Sequence, residues 1–507
     1  MALPFTWSEW RRLDAIALAD HIRSGRTTSV EVAAQAAAAI EMLNPALQAV
    51  LEVFYDAVED PSREIPTTGG ALYGVPMLMK DSGSGMRGRL REWGSRLSTG
   101  QRAAADCPVT TNLRQAGINL LGRTTLPENG KTFDTTADYR GSLVVTRNPW
   151  NPAKTPGGSS GGSAAMVAAA AVPIARAGDA AGSTRVPASF TGLVGHKPSR
   201  GLLPPPSGTN ELTNHRIQEG VLTRTVRDQA AALDIMISGF PLSHFIAARP
   251  PESAYSEQIR HAPKPLRIAV SAGNWGRPGG CCAPVAQRVA EVATVLTEVG
   301  NHHAETVADD LICEWGPFWA SVETNWLATG WFWRSLATQR GWPLSRVRGL
   351  LTPQNANLLD AGEHLTIPDL AAALAGNPRL MASLARFFDR YDILLCPVFP
   401  DPVPDANGPY SLMAETPFAD WFSNLLHGMR YTVLGNESGL PSISVPAGLL
   451  DGIPVGALLY GPPQSDGALL QLAAQLEEAR PDWFDNAPPL SVTMGAGGPQ
   501  RPCQGVI

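Results

Sequence analysis

Two short loops in this sequence are spaced for chemistry. Residues 157–163 read Gly-Gly-Ser-Ser-Gly-Gly-Ser, and residues 178–185 read Gly-Asp-Ala-Ala-Gly-Ser-Thr-Arg. Glycine lets other atoms approach the backbone closely, and a serine hydroxyl can be a nucleophile or a proton relay. The segment between them, residues 164–175, is almost wholly apolar and too short to cross a bilayer. It predicts a buried helix with a loop at each end, bringing Ser159 and Ser183 into one site. A glycine-serine linker would be polar throughout, and a phosphate cradle would end in Gly-Lys-Ser/Thr. Residues 157–161 formally match the G-x-S-x-G nucleophile elbow. That elbow follows directly on a strand, which three prolines in residues 148–156 disfavour.

A lysine is the third candidate. Residues 72–81, Leu-Tyr-Gly-Val-Pro-Met-Leu-Met-Lys-Asp, predict an apolar strand ending in Lys80. Burying an unpaired ammonium is costly, so on these residues alone a surface lysine at a strand end is the first reading. Residues 313–342 hold Trp315, Trp319, Trp326, Trp331, Trp333 and Trp342. The first three fall on one helical face. Either a packed core helix or the wall of an aromatic-lined substrate pocket accounts for them, with Trp319, Trp326 and Trp331 as the pocket candidates.

The elements that would position these groups alternate in type. Helices are expected over 8–43 (in two pieces, the second capped at Thr28 and ended by Asn44-Pro45), 109–117, 221–239, 284–299 and 467–480. Strands are expected at 50–54, 118–122, 267–270 and 391–399, and as a pair, 441–446 and 455–461, turned at Asp451-Gly452. Residues 124–152 read as irregular and 187–195 as a compact turn-rich piece. Such alternation predicts an α/β architecture.

Composition narrows the function. The chain has 507 residues, 44% hydrophobic and 17% charged, with 49 glycines, 44 prolines and a net charge of −6. That length suffices for a large core. No cluster of lysine and arginine suggests nucleic acid or an anionic membrane. No apolar run reaches the length of a membrane span, and residues 1–10 show no signal peptide. The six cysteines are scattered with no C-x-x-C, so neither a zinc site nor a disulfide framework is expected. The expectation is a cytoplasmic enzyme with no metal and no cofactor.

These motifs, in this order, resemble the amidase signature family of serine hydrolases. The likeness rests on residues 157–163, on Asp179 to Ala188, on the Gly-Val-Pro…Lys-Asp strand at 74–81, and on residues 147–150, 195–199 and 439–448. It runs from about residue 9 to 483, which implies one amidase domain over 1–483, with variable pocket regions near 204–220 and 310–430. Residues 484–507 are then expected to be a poorly ordered tail. The resemblance implies a large mixed, twisted sheet covered by helices on both faces. It implies a Ser–cis-Ser–Lys triad of Ser183 as nucleophile, Ser159 as bridge and Lys80 as base, with a cis bond between Gly158 and Ser159. The amides of Ala180, Ala181, Gly182 and Ser183 would line an oxyanion hole, and Ser160, Asp179 and Arg185 would support the loops. Many members carry Thr-Gly-Gly where this chain has Ala180-Ala181-Gly182. His196 stands where relatives often have an apolar residue and is expected to be structural. The implied activity is hydrolysis of a small, apolar or aromatic amide through an acyl-serine, with ester or carbamate cleavage open, by a monomer or homodimer. The alternative is the glutaminase subunit of a tRNA-dependent amidotransferase. That subunit has Gln after the loop arginine, where this chain has Val186.

Overall fold

The fold is built on strands β1 (Val50–Val53), β2 (Pro76–Lys80), β3 (Asn119–Thr124), β4 (Thr136–Tyr139), β5 (Ser142–Val145), β6 (Ile174–Asp179), β7 (Val194–Lys197), β8 (Gln218–Thr223), β9 (Arg267–Val270), β10 (His303–Thr306), β11 (Ile393–Pro397), β12 (Ser442–Leu450) and β13 (Ile453–Tyr460). The structure is a computed structural model describing residues 3–65, 69–83, 85–204, 216–237, 248–249, 251–485 and 487–492. Among these residues eleven strands form one sheet in the order β1-β3-β2-β6-β8-β7-β12-β13-β11-β9-β10, and β4 and β5 form a separate hairpin. The sheet is mixed: β2 runs parallel to β3 and β6, β6 to β13 pair antiparallel through the centre, and β11, β9 and β10 are parallel again.

Alternation along the strands separates two cores. Ile268, Ile393, Leu395, Ala457 and Leu459 point into one, with residues of the helices Ser29–Leu47, Val226–Met236, Ala283–Gly300 and Asp466–Ala479. Ala269, Leu394, Cys396, Leu458 and Tyr460 point into the other, with residues of Trp315–Leu327, Thr329–Arg340, Asn377–Arg390 and Phe418–Gly428. Helices therefore cover both faces, as the sequence implied.

Several local expectations need correction. The apolar run is not one helix. Its helix spans Gly161–Ala168; the chain then turns, with Ala170 at φ 61°, and β6 carries the second serine loop. An alanine-rich run has no periodicity to show the break, and Pro173 lacks the N–H that would continue a helix. Residues 187–195 are not turns but the end of the helix Arg185–Thr191, closed by Gly192 at φ 75°, followed by β7. Pro187 is tolerated because it stands in the first turn. Residues 221–223 belong to β8; the helix begins at Val226, where the Thr225 side chain accepts the Asp228 N–H. The helix expected to end at Asn44 continues through Pro45 to Leu47. Residues 124–152 contain the β4–β5 hairpin. In the expected tail, Leu490 N donates to Pro149 O at 3.0 Å and Val492 N to Ala169 O at 3.2 Å, so the chain is packed at least to Val492. The remainder of that stretch, 493–507, and residues 205–215 of the first variable region lie outside the described residues.

Candidate active site

Lys80 ends β2, an interior strand buried along its whole length. The side chain is buried, not at the surface, with Nζ 2.8 Å from Ser159 Oγ and 2.9 Å from Ser160 Oγ. Burial holds its pKa well below the usual 10.5; the Arg176 guanidinium pushes the same way and Asp179 opposes. Arg176 lies on the neighbouring β6, is itself fully buried, pairs with Glu219 on β8 and donates to Ser82 Oγ at 2.8 Å. Desolvation pushes Arg176 down to about 10. Two cations share this interior, and with Arg176 paired to Glu219, Lys80 is the one that gives up its proton more readily.

Ser159 enters the site on the loop before the helix Gly161–Ala168, and the Gly158–Ser159 peptide bond is cis. A Cβ on Gly158 would lie 2.6 Å from Thr132 O, and one on Gly130 would lie 3.0 Å from Ser159 Oγ. The loop therefore packs with no space for a side chain at Gly158 and only a tight fit at Gly130. The second loop closes on the first, with Ser160 N donating to Ser183 O at 3.2 Å. Ser183 is 5% exposed. Among the described residues its hydroxyl makes no hydrogen bond.

The second loop is shaped by a buried ion pair. Arg185 binds Asp179 through Nε at 2.9 Å and Nη2 at 2.8 Å. Its remaining donors reach Thr432 O at 2.7 Å, Tyr460 Oη at 3.1 Å and Asn436 Oδ1 at 2.6 Å. The guanidinium holds the Asp179 carboxyl well below the usual carboxylate range, against the opposing cost of burial. Asp179 in turn accepts from Gly182 N at 2.7 Å and Thr184 N at 3.1 Å. Gly182 sits at φ 128°, where a Cβ would lie 2.5 Å from Thr432 Oγ1. Of the four amides expected to line an oxyanion hole, that of Gly182 is thus committed to Asp179. Those of Ala180, Ala181 and Ser183 have no acceptor among the described residues.

The tryptophans divide. Trp319 donates to Trp275 O at 2.6 Å, is packed edge-on against Phe318, and carries Arg277 over its ring. It belongs to the aromatic core. Trp326 is buried beside Lys131. Trp331 is half-buried and, among the described residues, makes no side-chain hydrogen bond or ring contact with the serine loops. We expect Trp319→Ala to lower stability by about 3–5 kcal/mol, as for other core aromatics, while KM stays near wild type; chemical unfolding and steady-state kinetics check both. His196 is buried, 3.2 Å from Asp466, and makes no contact with the serines or Lys80. Sequence reasoning missed Arg176, Thr432 and Asn436. Arg176 could have been noticed as a charge inside the apolar run 174–177. The other two lie some 250 residues away from the loop they hold, and only the fold reveals them.

A buried lysine with a depressed pKa against a pair of serine hydroxyls, and a third serine on a closed loop with unpaired amides, is an arrangement suited to hydrolysis. The comparisons agree. The Amidase family model matches residues 31–470. The chain is 34% identical over 479 residues to the putative amidase AmiC of Mycobacterium tuberculosis, covering 92% of this chain and 95% of that one. The solved structure of a 6-aminohexanoate cyclic dimer hydrolase complexed with substrate superposes with a TM-score of 0.84 at 29% identity, covering 95% and 99% of the two chains. A bacterial aryl acylamidase of the amidase signature family gives 0.82 at 27% identity, over 96% and 99%. This chain belongs to the amidase signature family and is an amidohydrolase acting on carbon–nitrogen bonds other than peptide bonds. Among the described residues, no helix is long and apolar enough to cross a membrane.

Proposed function

We propose that the chain cleaves small amides through an acyl-enzyme on Ser183, with Ser159 as proton relay and Lys80 as base. The observation that carries this is the Lys80 ammonium nitrogen, buried, depressed in pKa and 2.8 Å from Ser159 Oγ. Ser183 Oγ attacks the carbonyl carbon; its proton passes to Ser159, whose own proton passes to Lys80. The amides of Ala180, Ala181 and Ser183 hold the oxyanion, and the Gly182 amide holds the loop in shape through Asp179. Collapse breaks the C–N bond, and the leaving nitrogen takes the proton back from Lys80 through Ser159. Water then attacks the acyl ester by the same relay and releases the acid. An ester or carbamate would follow the same steps.

The substrate reading is a small, apolar or aromatic amide. Aromatic side chains pack against the serine loops: a Cβ on Gly157 would lie 3.3 Å from Phe190 Cδ2, and Phe190 meets Phe399 at 5.0 Å between ring centroids. Two of the similar solved structures are a 6-aminohexanoate cyclic dimer hydrolase and an aryl acylamidase. A free-standing hydrolase is favoured over a glutaminase subunit because Val186, not Gln, follows Arg185, and it is wholly buried in the core. The test is to purify the chain alone and compare 4-nitroacetanilide cleavage with ammonia release from glutamine. Anilide turnover with an acyl group trapped on Ser183 by mass spectrometry is expected. Faster release of ammonia from glutamine would overturn the reading.

A further inference from the structure

One corner next to Ser159 holds more donors than acceptors. Lys131 follows Gly130, the residue that abuts Ser159. Its Nζ lies 3.2 Å from Thr329 Oγ1 and 5.4 Å from the centroid of the Trp326 ring. No carboxylate of the described residues pairs with it. Trp326 is 8% exposed, and its indole N–H is buried with no partner. Burial, with Arg216 nearby, pushes the Lys131 ammonium down to about 8. Arg216 is paired with a carboxylate: it binds Glu437 Oε1 at 3.0 Å, and Glu437 also accepts from Asn325.

Two chains of contact tie this corner to the reacting groups. On one side Gly130 lies against Ser159. On the other, Asn436 Nδ2 bridges Arg216 O at 3.1 Å and Asp179 O at 3.1 Å, at the root of the Ser183 loop. Lys131 is thus one residue from the backbone that abuts Ser159.

The Lys131 ammonium is half-buried with donors to spare, and the indole N–H beside it is buried with no partner, so an acceptor brought from outside would meet both. A neutral carbonyl would satisfy one donor and leave the charge uncompensated; a carboxylate supplies two oxygens and the charge. We propose that Lys131 and the Trp326 N–H form a subsite that takes a carboxylate carried by the substrate away from the bond that is cut. The substrate class is then an amide bearing one acid group on an otherwise apolar or aromatic frame. This rests on the Ser183 reading above and adds to it.

The test uses two matched pairs of substrates: the 4-nitroanilides of pentanoic and of glutaric acid, which differ at the far end of the acyl chain, and acetanilide with 4-acetamidobenzoate, which differ on the leaving side. Wild type is expected to favour the acid member of one pair by about tenfold in kcat/KM, the scale of one charge-assisted hydrogen bond. Lys131→Met should reduce that ratio about tenfold, mainly through KM. Lys131→Arg should restore part of it, and Trp326→Phe, which keeps the ring and loses the N–H, should reduce it less. A ratio near one for both pairs, or a ratio that survives Lys131→Met, overturns the subsite. Should Lys131→Met not fold, equilibrium binding to Ser183→Ala decides instead: the acid member must bind more tightly than its neutral partner. Anilide turnover by Ser183→Ala would mean that the reading of the centre itself fails. An inactive Ser183→Ala with a ratio of one would remove the subsite alone.

Discussion

Ser183→Ala is expected to abolish turnover while leaving the protein folded. Removal of a serine nucleophile costs on the order of 10⁶ in kcat in enzymes of this kind of mechanism. The structure explains why stability should be spared. The Ser183 hydroxyl makes no hydrogen bond among the described residues, so its loss orphans no buried partner, unlike most deletions of a buried polar group. The loop is held from elsewhere, by Asp179, Arg185, Thr432 and Asn436. Residual activity on 4-nitroacetanilide and a thermal melt together check this. More than a tenth of wild-type activity with an unchanged melt would remove Ser183 from the role of nucleophile.

Lys80→Met should be nearly as damaging, by a different route. Methionine approximates the length of the lysine side chain but cannot take a proton from Ser159, so kcat should fall about 10³-fold or more at neutral pH. The wild-type pH profile carries the matching signature. In the proposed role of base Lys80 works only when neutral, and burial moves its pKa well below 10.5. The rate should therefore rise with pH through a single ionisation set far below that of an ordinary lysine and then level off. The sign follows from the group being a cation when protonated: below its pKa the base is occupied, above it the base is free. Arg176 contributes to this position, so weakening its charge should move the midpoint upward. A Lys80→Met enzyme that kept the wild-type rate and profile would assign the base elsewhere.

The loops and the lysine strand were legible because their chemistry is written in local residue types. Gly-Gly-Ser-Ser-Gly-Gly-Ser and Asp-Ala-Ala-Gly-Ser-Thr-Arg stand out against any background, and a charged residue closing an apolar strand is visible once the loops are known. The interior of the fold was harder. The strand β6 lay hidden inside a run of alanines, because a fully buried strand and a buried helix both read as unbroken apolar sequence. The tryptophans were legible as a buried face but not as to what they bury against: Trp319 turned to Trp275, and Trp326 to Lys131. Asn436 and Thr432 carry no local mark; their part depends on a helix and loop from the far end of the chain arriving beside Asp179. Lys131 carries none either, since a lone lysine in a loop is ordinarily a solvated one.

The tight seating of Gly158 and Gly182 has a consequence for anyone who would retrain this enzyme on another amide. At both positions even a methyl group would overlap a neighbour, Thr132 O in one case and Thr432 Oγ1 in the other. Variant libraries that randomise these two positions would yield mostly chains whose loops cannot close as they do here. Diversity belongs instead at the proposed subsite, at Lys131, Trp326 and Thr329. If the proposed subsite holds, exchanges there should change what the enzyme accepts without entering the two serine loops.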